Sequence, residues 1–237
     1  MLSLSVFFPA YNDAPSIAKL VDRAFEVLCK RTSDFEVIVV NDGSRDNTAG
    51  VLEGLQTRYG EQFRAITHVE NRGYGAALRS GFAAARKDFV FYTDGDGQYD
   101  VGELPKLLDS LAPDVGLVNG FKLERQDPWH RIAIGNVYNR FARLVFRIHL
   151  RDIDCDFRLI RRALLDEAPL FSTSGTICVE LVKKLELSGY RVVEVGVHHY
   201  PRLHGRSQFF RFRSLLVTLY QLARLYVRLV VAPVMRL

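Results

Sequence analysis

Two carboxylates flanking a glycine, Asp94-Gly95-Asp96, followed at once by Gly97 and Gln98, are the residues of this chain best suited to chemistry. Hard oxygen donors at that spacing suit Mg²⁺ or Mn²⁺, which take carboxylates together with substrate phosphate oxygens. Gln98 can add a carbonyl oxygen. Gly95 and Gly97 permit a tight turn and leave room for a ligand. The same five residues also suit a plain polar turn, which favours Asp and Gly. An EF-hand does not fit, because its glutamate and helix–loop–helix setting are missing.

Three more polar clusters accompany this one. Tyr11-Asn12-Asp13 follows an apolar run that ends at Pro9. Asn41-Asp42-Gly43-Ser44 follows a second apolar run and, alone, suits a helix-capping turn. Asn71-Arg72-Gly73-Tyr74-Gly75 opens a small-residue stretch, where Gly73 and Gly75 can bring backbone N–H groups and a helix N-terminus to phosphates. This G-x-G pair lacks the third glycine and first-strand position of a dinucleotide fingerprint, which argues against NAD.

The elements that must position these clusters follow from periodicity. Strands are expected over residues 2–9, 35–40, 63–67, 89–93 and 115–119. Helices are expected between them: one carrying Ile17, Leu20, Val21, Ala24 and Leu28 at helical spacing, then 48–59, 75–86 and 104–111. Such alternation implies an α/β fold, a mostly parallel sheet with helices on both faces. Ligands of such sheets sit beyond the carboxyl ends of the strands, where all four clusters fall. After residue 120 the alternation weakens, with helices expected at 131–147 and 176–187 and strands at 158–160 and 191–198.

The composition bounds the function classes. The chain has 237 residues, 48% hydrophobic and 25% charged, which suits a large globular domain and excludes a disordered or collagen-like chain. Three cysteines without paired spacing fit a reducing compartment. The first residues lack the basic region of a signal peptide, and no run of 18 uncharged apolar residues is present. The net charge of +5 is unevenly placed. Residues 201–237 hold seven Arg and no acid, and residues 122–151 hold seven Lys/Arg against two acids, leaving an acidic body. Two basic segments on an acidic body suit an anionic ligand or membrane rather than nucleic acid, which would want a basic face with interleaved aromatics.

As a set, FPAYND (8–13), VNDGSRDNT (40–48), NRGYGAALRSG (71–81), TDGDGQYD (93–100), DIDCDFRLIRR (152–162) and HGRSQF (204–209) resemble family 2 glycosyltransferases of the dolichyl-phosphate mannose synthase-like type. The resemblance covers most of the chain in the family's order. It implies a GT-A fold, Rossmann-like, and inverting transfer of a hexose from a GDP- or UDP-sugar to a polyprenyl phosphate. It implies that Pro9, Tyr11, Asp13, Asn41, Asp42, Gly73, Gly75, Asp94 and Gly95 bind the nucleotide-sugar. Asp94, Asp96 and Gln98 would hold Mg²⁺ or Mn²⁺ on the diphosphate. Asn41 replaces a common first Asp of a DDGS pattern, and Asp13 stands where the family often has Glu.

A hydroxyl acceptor needs a general base, for which Asp152, Asp154 and Asp156 are candidates. A phosphate acceptor needs cations instead. Lys122, Arg131, Arg202, Arg206 and Ser207 are expected to bind it, with Asp94, Asp96, Arg131, Arg202 and Arg206 forming the catalytic set. Rival readings are a hydroxyl acceptor, a nucleotidyltransferase and a non-catalytic nucleotide-sugar sensor.

The expected organisation is a catalytic domain over 1–208 and an amphipathic helix within 209–237. Arg213, Ser214, Thr218, Gln221, Arg224 and Arg228 share one arc of that helix, opposite Phe212, Leu215, Leu219, Leu222 and Tyr226. Such a helix suits either an anionic membrane interface or docking on the domain. The expected location is the cytoplasm, peripherally on the cytosolic face of a membrane.

Overall fold

The computed structural model describes residues 2–125, 129–202 and 212–231. Seven strands form one sheet: β1 (Ser3–Ala10), β2 (Asp34–Asn41), β3 (Phe63–Thr67), β4 (Phe89–Thr93), β5 (Val115–Arg125), β6 (Phe157–Arg161) and β7 (Arg191–His199). Their order is β3-β2-β1-β4-β6-β5-β7. Only β6 runs antiparallel to its neighbours. β1 and β2 are buried almost throughout, and helices on both faces explain why their sequences are continuous apolar runs.

Helices α1 (Ala14–Leu28), α2 (Thr48–Tyr59) and α4 (Leu104–Leu108) cover one face. The other face carries α3 (Tyr74–Ala84), α5 (Trp129–Phe146), α6 (Arg162–Glu167), α7 (Ile177–Glu186) and α8 (Phe212–Tyr226). The expected apolar positions of α1, Ile17, Leu20, Val21, Ala24 and Leu28, are all buried. Each of the four larger side chains removed from water contributes about 1.5–3 kcal/mol, and the Ala24 methyl less. The short α6 has no counterpart in the periodicity.

The strand order places the site. The chain runs outward from β1 through β2 to β3, then crosses back to lay β4 on the other side of β1. The parallel pair β1–β4 is therefore the switch point of the sheet, where a crevice opens beyond the carboxyl ends. Tyr11–Asp13 and Asp94–Gln98 leave those two strands side by side.

α8 joins the domain. Leu222 and Leu225 are buried in the second core, and Gln221 Oε1 accepts hydrogen bonds from Ser174 Oγ and Thr176 Oγ1. Arg224 and Arg228 lie over the ring of Phe171. The polar arc thus supplies part of the docking contact, while Leu219, Tyr220 and Val227 stay exposed. No helix among the described residues is long and apolar enough to cross a membrane.

Candidate functional site

The site is built where β1 and β4 end. Gly95 N–H donates to Pro9 O at 3.1 Å, which ties the acidic turn to β1. Ser16 Oγ, in the first turn of α1, donates to Gly95 O at 2.8 Å. Asp94 and Asp96 are thereby fixed on a turn held from two sides. Tyr74 Oη donates to Asp94 Oδ1 at 2.7 Å, and Gln98 N–H to Asp96 Oδ1 at 3.0 Å.

Burial raises the Asp94 carboxyl well above its ordinary range, and the charges of Asp156 and Asp96 raise it further. Asp96 is raised too, mainly by burial, against the opposing pull of Arg202. The Arg202 guanidinium donates to Asp96 Oδ2. Carboxylates crowded together and partly or wholly withdrawn from water favour an added cation, since each disfavours ionisation of the others. Among the described residues no three acids, His or Cys are arranged to enclose a metal alone. A Mg²⁺-like ion is bound by one or two carboxylates plus phosphate oxygens and water. The hard-oxygen donors Asp94 and Asp96 fit that pattern.

Gln98 is placed differently from its expected role. Its Nε2 donates to Tyr200 O at 3.1 Å, and its own backbone oxygen accepts from Tyr200 N–H at 2.8 Å. This double tie brings residues 200–202 against the acidic turn, and so brings Arg202 to Asp96.

Asp13 lies on the β1 side. Its Oδ2 accepts from Tyr11 N–H at 2.9 Å, and burial, the largest influence, pushes its carboxyl up to about 6. Asn12 takes a left-handed conformation at φ 60° and knits the β1 loop to the β2 loop, with its Oδ1 accepting from Arg45 N–H at 2.7 Å. Asn41 Oδ1 accepts from Ser44 N–H at 3.0 Å. In place of the missing first carboxylate, Asn41 therefore shapes the turn.

Two of the expected donor-binding groups are engaged within the chain. Asp42 is buried, and its oxygens accept from Arg72 N–H and Gly73 N–H, both at 2.9 Å. His68 Nδ1 lies 2.6 Å from Asp42 Oδ1. The carboxylate is thus engaged in anchoring the 71–73 loop. The second is the pair Gly73 and Gly75, expected to offer N–H groups to phosphates. Gly73 N–H goes to Asp42, and Gly75 N–H goes to Thr173 O at 3.0 Å. A Cβ on Gly75 would lie 2.6 Å from Ser172 O. Gly73 adopts φ 93°, which L side chains rarely take. These glycines admit the chain between α6 and α7 against the start of α3.

The turn at 152–156 brings a further acid to the site. Asp156 Oδ1 accepts from Arg158 Nη1 at 3.1 Å and Tyr92 Oη at 3.3 Å, with Cys178 Sγ also at 3.1 Å. Arg158 is fully buried, and its Nε donates to Asn119 Oδ1 at 2.7 Å. Burial pushes the Cys178 thiol up, so it stays a protonated donor. Asp152 is turned inward: Asn139 Nδ2 and Asp154 N–H both donate to its Oδ1. Lys122 Nζ donates to Asp154 O at 2.9 Å and lies 3.9 Å from Asp152 Oδ2. Arg131 falls on α5 with its side chain outside the described residues, as are Arg206 and Ser207.

Tyr74, Tyr92, Arg158 and Cys178 were not singled out by sequence reasoning. A signal existed for Arg158, because a charged residue inside the apolar strand FRLIR requires a buried partner.

The mostly parallel α/β sheet with an acidic turn at its switch point agrees with the GT-A-like fold expected from the resemblance. The glycosyl transferase family 2 model matches residues 5–168, and the chain belongs to that family. It is 27% identical over 206 residues to the undecaprenyl-phosphate 4-deoxy-4-formamido-L-arabinose transferase of Aeromonas hydrophila, covering 87% of this chain and 62% of the relative. The protein of the same name from Pseudomonas aeruginosa is 29% identical over 214 residues, with 90% and 62% covered. The chain thus spans about three-fifths of the length of these relatives. Among solved structures, the glucosyl-3-phosphoglycerate synthase of Mycobacterium tuberculosis, crystallised with Mn²⁺, UDP and glucosyl-3-phosphoglycerate, superposes with a TM-score of 0.73 at 17% identity. That likeness covers 96% of this chain and 79% of the other. It concerns the fold.

Proposed function

We propose that this chain is a metal-dependent inverting glycosyltransferase that moves a sugar from a nucleotide-sugar to a polyprenyl phosphate. The observation that carries the donor half is the desolvated Asp94/Asp96 pair at the switch point, Asp96 buried and Asp94 partly so. The names of the two curated relatives, both transferases to undecaprenyl phosphate, support the acceptor. Those relatives name a modified arabinose, so the donor panel extends beyond the hexoses expected from sequence.

Asp94 and Asp96 would hold Mg²⁺ or Mn²⁺ against the donor diphosphate. A divalent cation there offsets charge gathering on the leaving nucleoside diphosphate. Tyr74 fixes the orientation of Asp94, and the Gln98–Tyr200 tie keeps Arg202 at the same turn. Asp13 and Tyr11, beside the turn, would receive the nucleoside. The anionic acceptor needs no general base, and Arg202, with Arg131 and Arg206, would hold it next to a second anion. Asp156, engaged with Arg158 and Tyr92, is the group a hydroxyl acceptor would use instead. The exposed apolar residues of α8 would touch an anionic membrane that carries such an acceptor.

The test is incubation with Mn²⁺, labelled GDP- and UDP-sugars and undecaprenyl phosphate. Labelled lipid should form with one donor, and both chelation and Asp96→Asn should abolish it. Release of pyrophosphate would identify a nucleotidyltransferase. Tight binding of donor without turnover would identify a sensor.

A further inference from the structure

α5 presents three different faces. Its inner face carries Tyr138, Ala142 and Phe146, packed on the second core, and Asn139, bonded to the 152–153 turn. A second face carries Asn136, Arg140 and Arg143. With Ile148 and Arg151 it lines an open groove of about 680 Å³. The third face is apolar and uncovered: Ile134 is 49% exposed, Val137 70%, Phe141 49% and Leu144 79%. These four recur at intervals of three or four, so they form one stripe along the helix. Exposed single apolar residues are ordinary, but an aligned stripe of four is not.

The charge beside the stripe says what would cover it. α5 contains no Asp or Glu. Arg140 and Arg143 are exposed and make no ion pair with a described residue. Arg147, just after the helix, is exposed as well. Arg151 lies over the Phe121 ring and 3.9 Å from Glu194. A stripe of Ile, Val, Phe and Leu bordered on one side by uncompensated arginines is complementary to a surface with an anionic skin and an apolar interior. The inner face of α5, not the stripe, meets α8, where Phe146 and Tyr226 pack edge to face at 6.1 Å between ring centroids. Tyr220 and Val227 of α8 are exposed as well.

We infer that the outer face of α5 docks on an anionic lipid bilayer, with the stripe entering the interface and Arg140 and Arg143 holding lipid phosphates. This deepens the lipid-phosphate reading above and rests on it for its purpose. The same helix, through Asn139, contacts the turn that bears Asp154 and Asp156. Docking would therefore seat the acidic site at a fixed height over the bilayer.

The test uses the full chain with vesicles of phosphatidylcholine alone or mixed with phosphatidylglycerol, read by co-sedimentation. Binding should require phosphatidylglycerol and weaken with salt. Val137→Glu/Leu144→Glu should lower the partition at least about tenfold, since charges at these positions enter the interface poorly. Arg140→Gln/Arg143→Gln should lower it about tenfold or more. All four side chains are exposed, so the melting temperatures should stay near that of the parent. Unchanged binding by Val137→Glu/Leu144→Glu would overturn the inference and leave α8 as the sole contact. So would a wild-type dimer that the same variant dissociates, without vesicle binding. Transfer to a short, water-soluble prenyl phosphate separates the two readings. That activity should survive Val137→Glu/Leu144→Glu. If wild type lacks it yet binds vesicles through α5, the catalytic reading fails and the surface stands.

Discussion

Tyr74, the first residue of α3, donates a 2.7 Å hydrogen bond to Asp94, the first residue after β4. The bond joins the 71–75 loop to the acidic turn. It also stabilises a carboxylate that burial and two neighbouring acids make hard to ionise. A bond to a charged group is worth about 1.5–3 kcal/mol. Tyr74→Phe should therefore weaken Mn²⁺-dependent donor binding about tenfold by calorimetry, with little change in metal-independent nucleotide binding. Equal losses in both would mean that Tyr74 only supports packing.

Asp13 gives a pH signature. Its carboxyl titrates near 3.8 when unfolded and is pushed up to about 6 by burial in the fold. The native state holds the proton more tightly, so this group's stabilising contribution is full below 3.8 and lost as pH rises through 6. Asp13→Asn should raise the melting temperature at pH 7.5 and not at pH 3.5. If Asp13 also accepts from the nucleoside, donor binding should fall as pH drops through 6, and Asp13→Asn should flatten that profile. Nucleotide-sugars are the right ligand, because their diphosphate has no ionisation near 6.

Gly75 distinguishes packing from phosphate binding. An added methyl would sit 2.6 Å from Ser172 O, a backbone atom that cannot easily yield. Gly75→Ala should cost about 1–3 kcal/mol in urea unfolding. A loss of donor affinity with unchanged stability would restore the phosphate role.

Arg158 is a buried charge with a matched partner in Asp156 and a second acceptor in Asn119. Arg158→Met leaves Asp156 unpaired and should destabilise by about 3–5 kcal/mol. Adding Asp156→Asn should recover part of that loss, since the orphaned charge is then gone. A purely additive double variant would show that the two groups are not coupled.

The sheet was legible because its signals are local. Apolar runs at β1, β2 and β4 and helical spacing in α1 each report on a short window of chain. The Asp94–Gln98 turn was legible for the same reason. What lay beyond reading was pairing across distance. Gln98 bonds Tyr200 over 102 residues, and Arg202 reaches Asp96 over 106. No periodicity encodes such contacts. Gly73 and Gly75 look like a phosphate loop until the chain at 172–173 is seen filling the space. Asp42 also has a partner that no local signal shows, since its oxygens accept from the 71–73 loop. The exposed stripe of α5 is likewise invisible in sequence, where four apolar residues at helical spacing suit a buried face equally well.

The acceptor is tested most directly by offering undecaprenyl phosphate and undecaprenol side by side, with Mn²⁺ and the preferred donor. The phosphate alone should become glycosylated, and Asp156→Asn, compared at equal folded fraction because it leaves the buried Arg158 without its partner, should keep most of that transfer because no base is needed. Glycosylation of the alcohol, lost in Asp156→Asn while both substrates still bind, would contradict a phosphate acceptor.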